Sequence, residues 1–219
     1  MATFILVHGG NMSTDTWNRL TGRHDYPDGG QLGPKIWDGT VAHLTEHGHR
    51  ALAPALGDEH DHGLTDHISQ ICAIVEDEGN SGIILVGHSY GGMVITGVAE
   101  RMPERIRRLV YVDAALPDPG QSLFDLFVAC GADPLSFAGL EAARAYVEKL
   151  DFNSRRIQSI KKTYIRCTES DFSRLTDGAK KKITNHKEGW TYLELPTSHV
   201  PMATMPQRFY RMLEETARS

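Results

Sequence analysis

The sequence predicts a single α/β domain: a mostly parallel sheet of about six strands, covered by helices on both faces. Short apolar runs rich in β-branched residues alternate with longer segments in which apolar residues recur at helical spacing. Several of these runs end in glycine, proline or polar residues, as strands that lead into loops do. The 219 residues are enough for one domain with a substantial core.

The first part of the chain supplies two predicted strands. Residues 3–8 form a β-rich run that ends in a glycine turn, and residues 50–54 form a second, shorter strand. Between them, residues 11–34 are polar and rich in Gly, Asp and Thr, which predicts a long loop beside the active site. Pro34 is well placed to open a helix that ends near His47.

The second part continues the alternation. A helix over residues 64–78 precedes the apolar strand 83–86, whose own helix extends to about Met102. Further strands are predicted at residues 109–112, 162–168 and 191–195. A terminal helix is predicted from about Met202.

The alternation breaks at about residues 117–161, which are helical in character and carry more apolar surface than a connection needs. We predict a small helical cap over the edge of the sheet; the alternative is an ordinary helix pair packed on the core. Right-handed crossovers place the carboxyl ends of parallel strands at one edge. The loops after His8, Pro54, Ser89 and Asp113 are therefore expected to share a site.

Ser89 lies in the pattern G-x-S-x-G, between a buried strand and a helix. In this pattern the glycines allow a tight turn around a strained serine, whose hydroxyl then stands free near a helix N-terminus. Ser89 is the candidate nucleophile. The alternative is that its hydroxyl only caps the helix.

A serine hydroxyl needs a base within hydrogen-bond reach, and that base needs an orienting carboxylate. His199 fits the base because it follows the last strand and precedes the last helix. Asp113 and Asp171 both follow strands and both precede His199, and Glu169 is a weaker third candidate. Spacing alone does not choose between the two aspartates.

The oxyanion hole requires two backbone N–H groups aimed at the developing charge. Tyr90, directly after the candidate nucleophile, supplies one. The second is predicted at Gly10, in the glycine turn after the first strand, because glycine permits a close backbone approach.

Composition limits the classes of binding partner and the cellular compartment that we expect for this protein. Asp and Glu number 28 against 23 Lys and Arg, which argues against nucleic acid or an anionic membrane as partner. The cysteines are three and widely spaced, and the apolar run at the N-terminus is too short for a signal peptide, so we expect a cytoplasmic protein. The histidine-rich loop at residues 58–62 lacks the spacing of a known metal site, and we predict neither metal nor cofactor.

Five motifs together resemble the α/β-hydrolases of the group that contains plant methyl-ester esterases, hydroxynitrile lyases and bacterial carboxylesterases. They are LVHGG, GHSYGG, LVYVDAALP, YIRCTESD and TSHVPM. The resemblance implies an α/β-hydrolase fold and covers nearly the whole chain outside residues 11–34 and much of the cap. In that family the acid follows the penultimate strand in a T-x-x-D turn. The resemblance therefore implies Asp171 as the acid.

The resemblance also implies the chemistry. The lyases of this group carry a lysine directly after the catalytic histidine, whereas this chain has Val200, and Gly9 stands where they have threonine after the first strand. We therefore predict a serine hydrolase that cleaves a small or medium carboxylic ester through an acyl-enzyme. A carbon–carbon lyase and a non-catalytic ligand-binding relative are the alternatives. The oligomeric state is left open, with a homodimer as one option.

Overall fold

A computed structural model describes residues 1–10, 12–79, 81–137, 140–185 and 188–218. Within these residues six strands form one sheet in the order β2-β1-β3-β4-β5-β6, and all neighbouring pairs are parallel. The strands are β1 Thr3–Val7, β2 Arg50–Leu52, β3 Ile83–His88, β4 Ile106–Val112, β5 Lys161–Cys167 and β6 Trp190–Leu195. The predicted parallel α/β fold is confirmed.

Helices cover both faces of the sheet, and β3 shows why its sequence is an unbroken apolar run. Successive side chains of a strand point to opposite faces. Accordingly Ile83 and Leu85 join the core on one face, while Ile84 and Val86 join the core on the other. The helices are α1 Thr14–Thr21, α2 Asp38–Glu46, α3 Leu64–Asp77, α4 Gly91–Arg101, α5 Leu123–Ala129, α6 Arg144–Val147, α7 Ser173–Asn185, α8 Pro201–Thr204 and α9 Pro206–Arg218.

The segment predicted as a loop at residues 11–34 contains helix α1, so that part of the prediction is wrong. The helix begins at a Ser13 N-cap, whose hydroxyl accepts a hydrogen bond from the Thr16 amide at 3.2 Å. It ends at Gly22, whose φ of 64° is the left-handed conformation that glycine adopts readily. Trp17 supplies the apolar anchor and is 5% exposed. Residue 11 itself lies outside the described residues.

The segment predicted as a cap, residues 117–161, is helical, with α5, α6 and two short 3₁₀ helices. Phe127 and Tyr146 belong to the same core as α3 and α4. The segment therefore packs on that face, while Tyr146 also reaches the carboxyl edge of the sheet at Gly10. Residues 138 and 139 lie outside the described part of the segment.

No helix among the described residues has the length and apolar character needed to cross a lipid bilayer.

Candidate active site

Ser89 lies directly after β3 and just before α4, at the carboxyl edge of the sheet. Its φ is 55°, a left-handed conformation that a non-glycine residue adopts only when its surroundings enforce it. The Ser89 carbonyl accepts hydrogen bonds from the amides of Gly92 at 3.1 Å and Ala115 at 3.0 Å. These bonds tie the strained turn to the first turn of α4 and to the segment after β4.

Two glycines make room for this turn. A Cβ atom on Gly9 would lie 2.6 Å from the Cβ of Ser89 and 3.2 Å from its Oγ. A Cβ atom on Gly91 would lie 2.6 Å from the carbonyl oxygen of Val7. Both positions therefore need glycine, because the loop after β1 packs directly on the turn that holds Ser89.

His199 and Asp113 are joined by a hydrogen bond. His199 follows β6 and is buried, and its Nδ1 donates to Oδ2 of Asp113 at 2.8 Å. Asp113 is the first residue after β4 and is fully buried, with a φ of 45°. Its other oxygen, Oδ1, accepts from the Cys167 amide at 2.9 Å. This arrangement fixes the proton of the His199 ring on Nδ1 and leaves Nε2 free to act as a base.

The structure contradicts the placement predicted for Asp171. That residue is exposed in the turn between β5 and α7, and the carboxylate that contacts His199 is that of Asp113. The reason is geometric. Asp113 lies directly at the end of a central strand and points inward, whereas Asp171 lies four residues beyond the end of β5, in solvent.

His88 holds the base from the other side, a role that no sequence pattern indicated. Its Nε2 donates to the backbone carbonyl of His199 at 2.8 Å, and the two rings lie 4.4 Å apart between centroids. Burial places the pKa of His88 well below its usual value, so the ring is neutral. The only sequence signal is its position next to Ser89, which does not reveal a contact with a residue after β6.

Three phenylalanines from different segments form an aromatic shelf beside the base. Phe172 lies 4.4 Å from the His199 ring, Phe137 stacks on Phe172 at 5.1 Å, and Phe127 lies 5.0 Å from Phe137, all between centroids. Phe127 comes from α5 and Phe137 follows a 3₁₀ helix of the cap segment. The surface next to the base is therefore apolar and aromatic.

The predicted oxyanion donors, Gly10 and Tyr90, lie in the turns after β1 and β3. Within the described part of the chain, neither of their backbone N–H groups donates to a protein acceptor. Tyr146 lies against both residues: a Cβ atom on Gly10 would be 2.5 Å from its hydroxyl oxygen, and its ring lies 5.1 Å from that of Tyr90. Both donors are thus held at a packed surface with their hydrogens available.

Two neutral histidines fix the loops around these donors. The Leu56 amide donates to Nε2 of His8 at 3.1 Å, so the ring proton is on Nδ1, which donates to the Gly9 carbonyl at 2.8 Å. Burial lowers the pKa of His8 to about 4. His67 accepts from the Tyr90 hydroxyl at 3.0 Å, and burial lowers its pKa too. Because both rings are neutral, each can donate and accept at once.

The loop at residues 58–62 does not assemble a metal site among the described residues. His67, which the sequence placed near that loop, uses its second ring nitrogen to donate to the Gly57 carbonyl at 3.0 Å. The segment predicted beside the active site, residues 11–34, helps to line a cavity of about 310 Å³ with α9 and with Met202 of α8. None of the residues proposed for catalysis lines this cavity.

Comparisons with known proteins identify the family to which the chain belongs. The model of a family described as the alpha/beta hydrolase family matches residues 4–162. A carbendazim hydrolyzing esterase of Nocardioides sp. (strain SG-4G) is 42% identical over 134 residues, which cover 58% of this chain and 47% of that protein. Polyneuridine aldehyde esterase of Rauvolfia serpentina is 31% identical over 121 residues, which cover 55% of this chain and 41% of that protein. The chain thus spans about half the length of these curated relatives.

Among solved structures, a pyrethroid hydrolase from Sphingobium faniae JZ-2 superposes with a TM-score of 0.69 at 19% identity. The superposition covers 100% of this chain and 98% of that one. At this identity the likeness concerns the fold alone.

Proposed function

Because this chain belongs to the alpha/beta hydrolase family, we propose that it hydrolyses carboxylic esters with Ser89 as nucleophile and His199 as base. The observation that carries the proposal is the hydrogen bond from His199 to Asp113, at the sheet edge that also presents the strained Ser89. A nucleophile in a tight turn, a base and a buried carboxylate are the parts that acyl transfer through a serine requires.

The reaction follows from these positions. Ser89 Oγ attacks the ester carbonyl carbon while Nε2 of His199 takes the hydroxyl proton. The carbonyl oxygen becomes an oxyanion, which accepts hydrogen bonds from the N–H groups of Gly10 and Tyr90. When the tetrahedral intermediate collapses, the C–O bond to the alcohol breaks and His199 returns the proton to the leaving oxygen. Water, activated by the same ring, then releases the acid from Ser89.

Asp113 is assigned to orient the base. As a buried carboxylate it holds the His199 proton on Nδ1 and stabilises the imidazolium that forms when Ser89 gives up its proton. The hydrogen bond from His88 to the His199 carbonyl fixes the backbone of the same loop. The base is therefore held through both its ring and its main chain.

The aromatic shelf supports a substrate with an apolar or aromatic group next to the scissile bond. A planar ring bound there would stack on Phe172 and Phe137, and aromatic pairs of this kind are worth about 0.5–1.5 kcal/mol beyond the buried area. The similarity to an esterase named for carbendazim hydrolysis supports an aromatic substrate class. No observation favours the lyase alternative, since Val200 after the base is fully buried and brings no charge to the site.

The test is covalent labelling with an activated aryl phosphonate, followed by intact mass spectrometry. We expect one adduct per chain in the wild type and none in Ser89→Ala. The matched control is Ser69→Ala, which removes an exposed serine of α3 and should label as the wild type does. Labelling that persists in Ser89→Ala, or a wild type that neither labels nor hydrolyses aryl esters, would reject the proposal.

A further inference from the structure

Three side chains that could bind a metal converge between α2 and α9. His43 is in the last turn of α2, His47 is the residue directly after that helix, and Glu214 is on α9. Nε2 of His43 lies 2.8 Å from Oε1 of Glu214, and Nε2 of His47 lies 3.7 Å from the same oxygen. All three ligand atoms lie within 4.8 Å of one another.

Nε2 of each histidine faces Oε1 of Glu214. Nδ1 of His47 donates to the His43 backbone carbonyl at 2.8 Å, so the lone pair of this ring is on Nε2, facing Glu214. Metal-bound histidines characteristically donate their other ring N–H in this way. The His43 ring is stacked between His47, at 4.1 Å, and Tyr210, at 4.6 Å, which limits its rotation.

The carboxylate has one oxygen available for an ion. Both histidines face Oε1 of Glu214, while Arg218, a highly exposed side chain, approaches Oε2 at 3.6 Å. The arginine therefore does not occupy the position between the histidines. Glu214 is 12% exposed and His47 is 49% exposed, so an ion can enter from solvent on the His47 side.

We propose that His43, His47 and Glu214 form a binding site for a divalent transition-metal ion such as Zn²⁺. Zinc bonds of about 2.0–2.2 Å in a tetrahedral arrangement place neighbouring ligand atoms about 3.3–3.5 Å apart. The observed 2.8 and 3.7 Å lie on either side of that separation, so both nitrogen–oxygen distances are close to those that a tetrahedral zinc ion requires. The ion takes the place of the proton on Nε2 of His43, the ring proton moves to Nδ1, and water supplies the fourth ligand. Two imidazoles select against Mg²⁺ and Ca²⁺.

The proposed metal site is remote from Ser89 and joins the end of α2 to helix α9. Helix α2 leads into β2, so its last turn lies at the amino edge of the sheet, opposite the edge that presents Ser89. An ion there joins residues that are 171 positions apart in the chain. The inference is independent of the proposed esterase activity.

The test uses the full chain after chelator treatment and desalting. Zinc titration by calorimetry should show one specific ion per chain, and excess zinc should raise the unfolding temperature by about 5 °C or more. Mg²⁺ should do neither. His47→Gln and Glu214→Gln should each weaken zinc binding at least about tenfold. Glu214→Gln keeps a hydrogen-bond partner for His43, so it tests the ligand charge in a folded protein.

His60→Gln is the matched control, because His60 is a half-exposed histidine with a carboxylate, Glu141, 3.5 Å away. It should bind zinc as the wild type does. The proposal is overturned by absence of zinc binding, by unchanged binding in both ligand variants, or by loss only in His60→Gln. Ester turnover should be equal in the zinc-loaded and chelated forms. If zinc changed ester turnover but not the unfolding temperature, the ion would bind elsewhere and this site would also be rejected.

Discussion

Asp113 contacts the base and the backbone of a neighbouring strand at the same time. One oxygen accepts from His199 and the other accepts from the Cys167 amide. Its carboxylate therefore cannot rotate without breaking a buried hydrogen bond, which is costly. This double attachment holds the ring proton of His199 on Nδ1, the tautomer that the proposed role of Nε2 as a base requires.

We first predict different outcomes for Asp113→Asn and Asp171→Asn. The amide introduced by Asp113→Asn would donate rather than accept toward His199 and so favour the wrong tautomer, and we expect kcat to fall by about 10⁴-fold. Asp171→Asn should stay close to the wild type because Asp171 is exposed and does not contact the base. Steady-state hydrolysis of an aryl ester, with circular dichroism to check folding, measures both. Loss confined to Asp171→Asn would contradict the assignment.

The sequence predicted that an aspartate at the end of a strand orients His199, but not which one. Both candidates follow strands, and pattern alone does not show which carboxylate points inward. The T-x-x-D resemblance favoured Asp171, whereas the structure places Asp113 on the base. The contact of His88 with His199 was equally hidden, because it joins residues 111 positions apart.

Helix α1 is an element that the sequence pattern did not reveal. Its sequence is mostly polar, so its apolar anchor, Trp17, did not produce a visible helical period. The signal that it does carry is local: a serine N-cap and a glycine after the last turn. Elements with strong apolar runs, such as β3, were predicted because burial on both faces leaves an unmistakable pattern.

We predict that Ser13→Ala lowers the free energy of unfolding by about 1 kcal/mol, because the Thr16 amide at the start of α1 loses its hydrogen-bond acceptor. Urea unfolding at fixed pH measures the change. Ser69→Ala, in the exposed face of α3, is the control and should change the free energy of unfolding by less than about 0.5 kcal/mol. Equal effects of the two substitutions would show that the cap does not stabilise α1.

Across the whole molecule, three buried histidines surround the proposed site: His8, His67 and His88. Burial lowers the pKa of each in the folded state, to about 4 for His8, from an ordinary value of 6.5. The unfolded chain therefore binds more protons than the folded chain below pH 6.5. The stability that these neutral rings contribute is fully present above pH 6.5 and is lost as the pH falls through their lowered pKa values, by up to about 1.4 kcal/mol per pH unit for each ring.

We accordingly predict that His88→Gln loses stability less steeply than the wild type between pH 6.5 and 4. The glutamine amide can still donate to the His199 carbonyl but takes up no proton. Thermal unfolding across this pH range gives the two slopes, and His60→Gln, in the exposed loop, should keep the wild-type slope. A slope in His88→Gln as steep as in the wild type would show that burial of His88 does not contribute to acid lability.

The order of the strands has a consequence for how the molecule opens. Ser89 follows β3 and Asp113 follows β4, both in the interior of the sheet. His199 follows β6, which within the described part of the chain is paired on one side only. Edge elements with few buried contacts open locally at lower free energy than central ones. Local opening of β6 would separate His199 from Asp113 while β3 and β4 stay paired. We therefore expect the local stability of β6, rather than the global stability of the protein, to limit how long the site stays assembled.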